Sequence, residues 1–120
     1  MKLAEVRSFA MSLPEVTEEP HFHLSSFRVR GKIFVTIPPE ESHLRIFVAD
    51  AERERALAIA PECLEKLLWG GKVVGLSVAL ANAKPSVVKQ LIRCAWTHKA
   101  PKSLATLHRQ ERTRGAPAVK

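Results

Sequence analysis

The apolar residues at the start of the chain recur at the spacing of one helix face. This helix is predicted to end before Pro14, because a proline disfavours a helical residue in front of it. The acidic segment 14–20 has no apolar period and is predicted to be a loop. The apolar face of the helix is formed by Val6, Phe9, Ala10 and Leu13.

Alternation with period two replaces the helical period after this segment and predicts strands. Two strands, residues 27–30 and 32–37, meet at Gly31 in a hairpin-like turn, and a third strand covers residues 43–48. The residues predicted to face the helices are Val29, Ile33, Val35, Ile46 and Val48. The opposite, open face is predicted to carry Arg28, Arg30, Phe34, Arg45 and Phe47.

The second half of the chain continues the alternation of helix and strand. Asp50 is predicted to cap a helix that runs from residue 51 to about 60. Residues 61–68 are predicted to form a turn or a short helix, and residues 72–80 one or two strands kinked at Gly75. Pro85 fits the first turn of a long last helix, which Pro101 ends.

The resulting order, α-β-β-β-α-β-β-α, predicts an α+β fold. Short connections between strands favour an antiparallel sheet, and helices with one apolar face favour a two-layer arrangement with all helices on one side. No repeat or linker divides the chain, so a single domain over residues 1–109 is expected. Residues 110–120 are expected to form a flexible basic tail.

Positive charge is concentrated in the second half of the chain. Residues 1–60 hold eight Lys or Arg and nine Asp or Glu, whereas residues 61–120 hold eleven and three. Such asymmetry is typical of a protein that binds an anionic partner, and nucleic acid is the commonest one. The sequence therefore predicts a non-enzymatic module that binds DNA through phosphate contacts.

Two groups of residues are candidates for this contact, one on the open sheet face and one along the last helix. An aromatic ring beside a cation suits both a base and a phosphate. The same sheet face also suits a protein interface, either in a homodimer or with a peptide, and Trp96 also fits the edge of the core. The candidate nucleic-acid-binding residues are Arg28, Arg30, Lys32, Arg45, Lys89, Arg93, Trp96, Lys99 and Lys102.

The sequence contains no GxSxG, P-loop, GxGxxG or HExxH motif. Neither a catalytic residue nor a cofactor is therefore predicted. His21 and His23 would share one face of a strand, but no spacing supplies a third metal ligand, so no metal site is predicted. An enzyme or a small-ligand protein that uses His21, His23 and the surrounding cleft would instead need a cluster of histidines with an acid in one pocket.

Cysteine usage and hydropathy predict a cytoplasmic protein that does not enter a membrane. Cys63 and Cys94 form no CxxC pair and are expected to be buried, unreactive thiols in a reducing compartment. Charges at Lys2, Glu5 and Arg7 interrupt the apolar run that a signal peptide needs. No segment approaches the roughly 18 consecutive apolar residues of a membrane span.

Three segments together resemble the MmcQ/YjbR family of small bacterial proteins. They are LPEVTE at 13–18, SFRVRGKIF at 26–34, and LIRCAW at 91–96 followed by APKSL at 100–104. The resemblance implies a two-layer α+β fold similar to a double-wing DNA-binding domain, with DNA as the partner and no catalytic residues. The chain departs from the family pattern over residues 69–74. The motif positions are Phe27, Arg28, Gly31, Lys32, Trp96 and Lys102.

Overall fold

The computed structural model describes residues 1–115, and antiparallel strands form one sheet in it. The strands are β1 (Val16–His21), β2 (Leu24–Val29), β3 (Lys32–Ile37), β4 (His43–Ile46), β5 (Leu64–Trp69) and β6 (Lys72–Ala79). Their order across the sheet is β1-β2-β3-β4-β6-β5. Neighbouring strands in the chain are therefore neighbours in the sheet, except that β6 pairs with β4 and leaves β5 at the edge.

The helices form a layer on one face of this sheet. They are α1 (Leu3–Met11), α2 (Asp50–Ile59), α3 (Pro85–Lys99) and α4 (Lys102–Gly115), and a short 3-10 turn at Leu80–Asn82 precedes α3. Both α1 and α2 contact α3, which itself lies over β3 and β4. The predicted α+β fold, an antiparallel sheet combined with helices, is confirmed.

Two-residue turns close three of the hairpins, and in two of these turns both residues have positive φ. Arg30 and Gly31 join β2 to β3 with positive φ at both residues, the geometry that matches the natural twist of paired strands. Gly70 and Gly71 do the same between β5 and β6. The hairpin predicted around Gly31 is therefore confirmed, and its position follows from the tolerance of glycine for this conformation.

The prediction of a loop over residues 14–20 is wrong, because β1 occupies most of that segment. Each residue of β1 pairs with a residue of β2, from Val16 opposite Val29 to His21 opposite Leu24. Pro20 is tolerated because β1 is an edge strand, so its missing N–H interrupts no ladder on the outer side. Pairing with β2 determines the structure of this segment, and the local sequence pattern does not predict such pairing.

Two predictions for the second half also need correction. Residues 64–69 form β5 rather than a turn or short helix, since pairing with β6 overrides the helix-like spacing of Leu64, Leu67 and Leu68. Residues 72–79 form the single strand β6, which agrees with the prediction of one or two strands there. Helix α4 was not predicted, and it reaches Gly115, inside the segment expected to be a flexible tail. Residues 116–120 of that expected tail lie outside the described residues.

A β-bulge in β3 changes which residues face the helices. Phe27 pairs with Val35 but Arg28 pairs with Ile33, so Phe34 is an extra residue that has no partner on β2. Phe34 is fully buried, and Ile33 instead lines the open face. The predicted sides of Ile33 and Phe34 are therefore exchanged, because the bulge shifts the alternation by one residue.

The core lies between the sheet and the helical layer. Trp96 is its largest fully buried side chain, and the indole Nε1 donates a hydrogen bond of 3.0 Å to the carbonyl oxygen of Pro14. This bond ties α3 to the segment between α1 and β1. The other large, fully buried side chains are Phe27, Phe34, Leu44, Ile46, Leu76, Ile92, Val6, Val29, Val35, Val78 and Val88.

Candidate nucleic-acid interface

A groove of about 490 Å³ crosses the open face of the sheet. Its volume lies in the range of sites that bind small molecules or single ligand groups. Two of the described residues that line it are cationic, Arg45 and Lys99, and none of them is acidic. We call it the open-face groove, and its lining residues are His21, Phe22, Leu24, Ile33, Thr36, Arg45, Phe47, Trp69 and Lys99.

Two exposed aromatic side chains form opposite ends of the open-face groove. Phe22 lies in the turn between β1 and β2 and is 88% exposed. Trp69 is the last residue of β5 and is 52% exposed. The ring of Phe47 packs against Trp69 with 5.4 Å between ring centroids, which fixes the position of the indole. The groove thus presents ring surfaces to solvent beside two cations.

The floor of the groove is polar. Thr36 pairs with Ser26 on one side and with Arg45 on the other, so the three side chains share one row of the sheet. Ser26 Oγ donates to the carbonyl oxygen of Glu19 at 2.7 Å and accepts from Arg28 Nε at 3.1 Å. Thr36 is only 3% exposed, and its Oγ1 has no hydrogen-bond partner among the described residues.

The hydroxyl group of Ser26 is hydrogen-bonded whereas that of Thr36 has no partner in the part of the chain that the structure describes, so removing the two groups is expected to change the free energy of unfolding in opposite directions. Replacing Thr36 with valine is expected to raise the free energy of unfolding by about 1 kcal/mol, because it removes a buried polar group that makes no bond. Replacing Ser26 with alanine is expected to lower the free energy of unfolding by about 1–2 kcal/mol, because two bonds are lost. Urea denaturation of both variants measures this. Equal destabilisation by the two changes would show that Thr36 Oγ1 is bonded in solution.

The predicted cations of the sheet do not all reach the groove. Arg45 does, and it is half-buried there. Arg28 lies on the same face, but its guanidinium also donates to the carbonyl oxygen of Pro20 at 3.3 Å. Arg30 is paired with Glu15, with 2.7 Å between Nε and Oε1, and this hydrogen bond lowers the pKa of the Glu15 carboxyl. Lys32 lies exposed outside the groove lining. Arg45 is therefore the sheet cation best placed to meet an anion.

The predicted cations of the last helix divide between two surfaces. Lys99 lies in the last turn of α3 and reaches the open-face groove. Lys89 and Arg93 lie instead over the ring of Phe9 from α1, with 5.8 Å from Nζ and 5.3 Å from Cζ to the ring centroid. Lys102 is exposed at the start of α4. The structure thus brings Lys99 together with Arg45 and places Lys89 and Arg93 on the helical layer.

Trp96 is not available to a ligand, and its place among the candidate nucleic-acid contacts is corrected. Its side chain is 0% exposed, its N–H bonds Pro14, and the ring of His108 contacts its edge at 5.0 Å. A tryptophan that is enclosed on every side stabilises the core and cannot stack on a base.

Comparison with known proteins identifies the family of the chain. The family model described as YjbR matches residues 11–98, which is more than half of the chain. The chain belongs to the YjbR family. The matched segment begins at the end of α1 and runs almost to the end of α3, so it includes the whole sheet. Among curated proteins, none matches significantly.

A solved structure supports the fold of this YjbR-family chain. The Deinococcus radiodurans protein DR2400, with a DUF419 domain, is similar at a TM-score of 0.68 and 16% sequence identity. The similarity covers 80% of this chain and 76% of that chain. At this identity the similarity concerns the backbone arrangement alone.

Three groove residues of this YjbR-family protein were missed by sequence reasoning. Trp69 was recognised only as part of the departure over residues 69–74, because β5 was not predicted as a strand. Phe22 lay in a segment without a clear pattern, next to the mispredicted loop. Thr36 lies in the predicted strand 32–37, and nothing in the alternation shows that its hydroxyl group is buried in a groove. A correct prediction of β1 and β5 would have identified Phe22 and Trp69 as residues of the open face.

The structure also tests the predictions made for the histidines and the cysteines. His21 ends β1 whereas His23 lies in the following turn, so the two do not share one strand face. Among residues 1–115, no group of three His, Cys, Asp or Glu is arranged to hold a metal ion. Cys63 is buried and Cys94 half-buried, and burial raises the pKa of both thiols, which keeps them protonated at neutral pH.

No helix in the described part is long and apolar enough to cross a bilayer.

Proposed function

We propose that this YjbR-family protein binds DNA through the open-face groove and catalyses no reaction. The proposal rests on the observation that Arg45 and Lys99 line the same groove as several aromatic side chains. None of the described residues that line this groove carries a carboxylate. Two cations without a neighbouring acid attract phosphate, and no competing ion pair has to be broken first.

The two cations contribute differently. A guanidinium such as that of Arg45 can hold two phosphate oxygens at once, and its half-buried position on β4 restricts its geometry. Lys99 carries a point charge on a long flexible stem and lies in the last turn of α3, where a cation is favoured by the helix dipole. Arg45 is therefore suited to orient a phosphate, and Lys99 to follow a backbone of varying shape.

The proposal predicts that two charge reversals in the groove abolish most of the DNA affinity. Arg45→Glu with Lys99→Glu is expected to weaken binding to a labelled duplex of about 30 base pairs by roughly one to two orders of magnitude at low salt. The slope of log affinity against log salt is expected to become shallower by about 2, since two phosphate contacts are lost. Fluorescence anisotropy at low and at physiological salt measures both quantities.

The matched control is the pair Lys89→Glu with Arg93→Glu, which changes the net charge equally on the helical layer. This variant is expected to lose much less affinity, through long-range attraction alone. The melting temperature of each variant shows whether it is folded. If the control pair abolishes binding while the groove pair retains it, the interface lies on the helical layer and the groove is the wrong site.

A protein partner is the second candidate function. The edge strand β5 exposes Leu68 and Trp69 side by side, and an exposed edge with apolar residues favours pairing with another chain. The same titrations separate the two functions. Absence of binding to DNA even at low salt would overturn the first proposal and leave the open face with its β5 edge as a surface for a second copy or a peptide. Such a complex would be insensitive to salt.

A further inference from the structure

We propose that the open-face groove is a site for unpaired nucleotides, so that single-stranded DNA binds with a base stacked on Trp69 and a phosphate at Arg45 and Thr36. This inference rests on the proposed function and specifies which form of DNA the groove takes. Three independent features of the groove support it.

The first feature is the exposure of Trp69. Half of this large apolar side chain is open to solvent, although Phe47 packs against it and holds it in place. Stacking on an aromatic ring requires the flat face of a base, which a duplex hides between its neighbours and a single strand offers. The groove therefore presents to an unpaired base a contact that it cannot offer to a duplex.

The second feature is the unpartnered hydroxyl group of Thr36. It is 97% buried in the groove floor beside Arg45, and a hydroxyl group without a partner in such a place is unfavourable in the free protein. A hydroxyl group can both donate and accept, so it can bond to a phosphate oxygen or to the edge of a base. A bound nucleotide would satisfy this group, and Arg45, which pairs with Thr36 across the strands and lines the same groove, would bind the same phosphate.

The third feature is the exposure of Phe22. This large apolar side chain is 88% exposed in the two-residue turn between β1 and β2, and the turn accounts for its positive φ of 57°. Its ring lies at the end of the groove opposite Trp69, and an exposed aromatic ring beside cations suits stacking on a base. Phe22 is thus placed to contact a second base of the same strand.

Tryptophan fluorescence tests this inference without a label. The chain has two tryptophans and no tyrosine, and Trp96 is enclosed in the core, so quenching by an added oligonucleotide reports on Trp69. We expect an oligothymidylate of about 12 nucleotides to quench the emission and to bind more tightly than a duplex of equal length. The duplex is expected to cause little quenching, because its bases cannot reach the indole.

Substitutions then distinguish stacking from phosphate attraction. Trp69→Ala is expected to weaken binding of the oligothymidylate about tenfold or more, measured by anisotropy, and to leave duplex affinity within about twofold. Leu68→Ala is the matched control, since Leu68 is adjacent and 54% exposed but does not line the groove. Thr36→Val, which should be folded at least as stably as the parent, is expected to weaken oligonucleotide binding about threefold to tenfold.

Each outcome decides between the two proposals. Equal affinity for single strand and duplex, with no loss in Trp69→Ala, would overturn the inference and leave DNA binding through phosphates intact. Absence of binding to both would overturn both proposals. Thymidine monophosphate that binds as tightly as the oligonucleotide would identify a free nucleotide as the occupant and exclude a DNA strand. If Thr36→Val binds the oligonucleotide as tightly as the parent protein, the phosphate does not bind at Thr36 and that part of the inference is wrong.

Discussion

Replacing Trp96 with alanine is expected to lower the free energy of unfolding by about 3–5 kcal/mol. The substitution leaves a large cavity in the centre of the core and removes the donor that bonds the carbonyl oxygen of Pro14. A domain of this size has a total stability of about 5–15 kcal/mol, so the variant should be close to unfolded at physiological temperature. Urea denaturation followed by circular dichroism measures the change.

The second tryptophan of the chain provides the control. Trp69→Ala removes the same side chain from the half-exposed end of β5 and is expected to change the free energy of unfolding by about 1 kcal/mol or less. Trp96→Phe should be intermediate, because it keeps most of the volume and loses the hydrogen bond to Pro14. Similar destabilisation by the two alanine variants would contradict the core position of Trp96.

The second large effect is expected at Gly75 in β6. A methyl group added there would collide with the carbonyl oxygen of Ile46, the last residue of β4, and would press on the Cα of Phe47 beyond it, and backbone atoms cannot turn aside. Gly75→Ala is therefore expected to lower the free energy of unfolding by about 2–3 kcal/mol, as overpacking does. Because Phe47 supports Trp69, the shift of β4 should also weaken oligonucleotide binding. Thermal and urea denaturation, with the same anisotropy titration, measure both effects.

Gly71 is the comparison for this substitution. It lies in the turn between β5 and β6 with a positive φ, but a methyl group there would meet open space. Gly71→Ala is expected to cost about 1–2 kcal/mol from backbone strain alone. If Gly75→Ala proves no more destabilising than Gly71→Ala, β4 and β6 can move apart at this point at little cost. The close approach of Gly75 to β4 then does not require a glycine.

The elements that local sequence decides were predicted correctly. Proline marks the end of α1 and the start of α3, and Gly31 marks the turn between β2 and β3. The elements that pairing decides were not. β1 contains a proline and few apolar residues, and β5 has apolar residues at helix-like spacing, so both depend on the strand beside them. The bulge at Phe34 is equally invisible, because one inserted residue reverses an otherwise regular alternation.

The site was predicted in its chemistry but not in its arrangement. Arg45 and Lys99 were both candidates, although in separate groups, and nothing in the sequence shows that the end of α3 reaches the open face. The burial of Trp96 also follows from contacts that the sequence does not show. The helical period places Trp96 at the boundary of an apolar face, and contacts with Pro14, 82 residues earlier, and with His108 of α4 enclose it.

The packing of α1 against α3 also has a consequence for when the core can close during synthesis. Helix α1 is synthesised before the sheet, yet α3, which it packs against, is synthesised after the sheet. The hairpins of the sheet can pair as they emerge from the ribosome, and α1 can contact β1, but α1 lacks its helical neighbour until α3 follows. Closure of the core therefore awaits the synthesis of α3, and a chain interrupted before α3 exposes the apolar face of its sheet to chaperones and proteases.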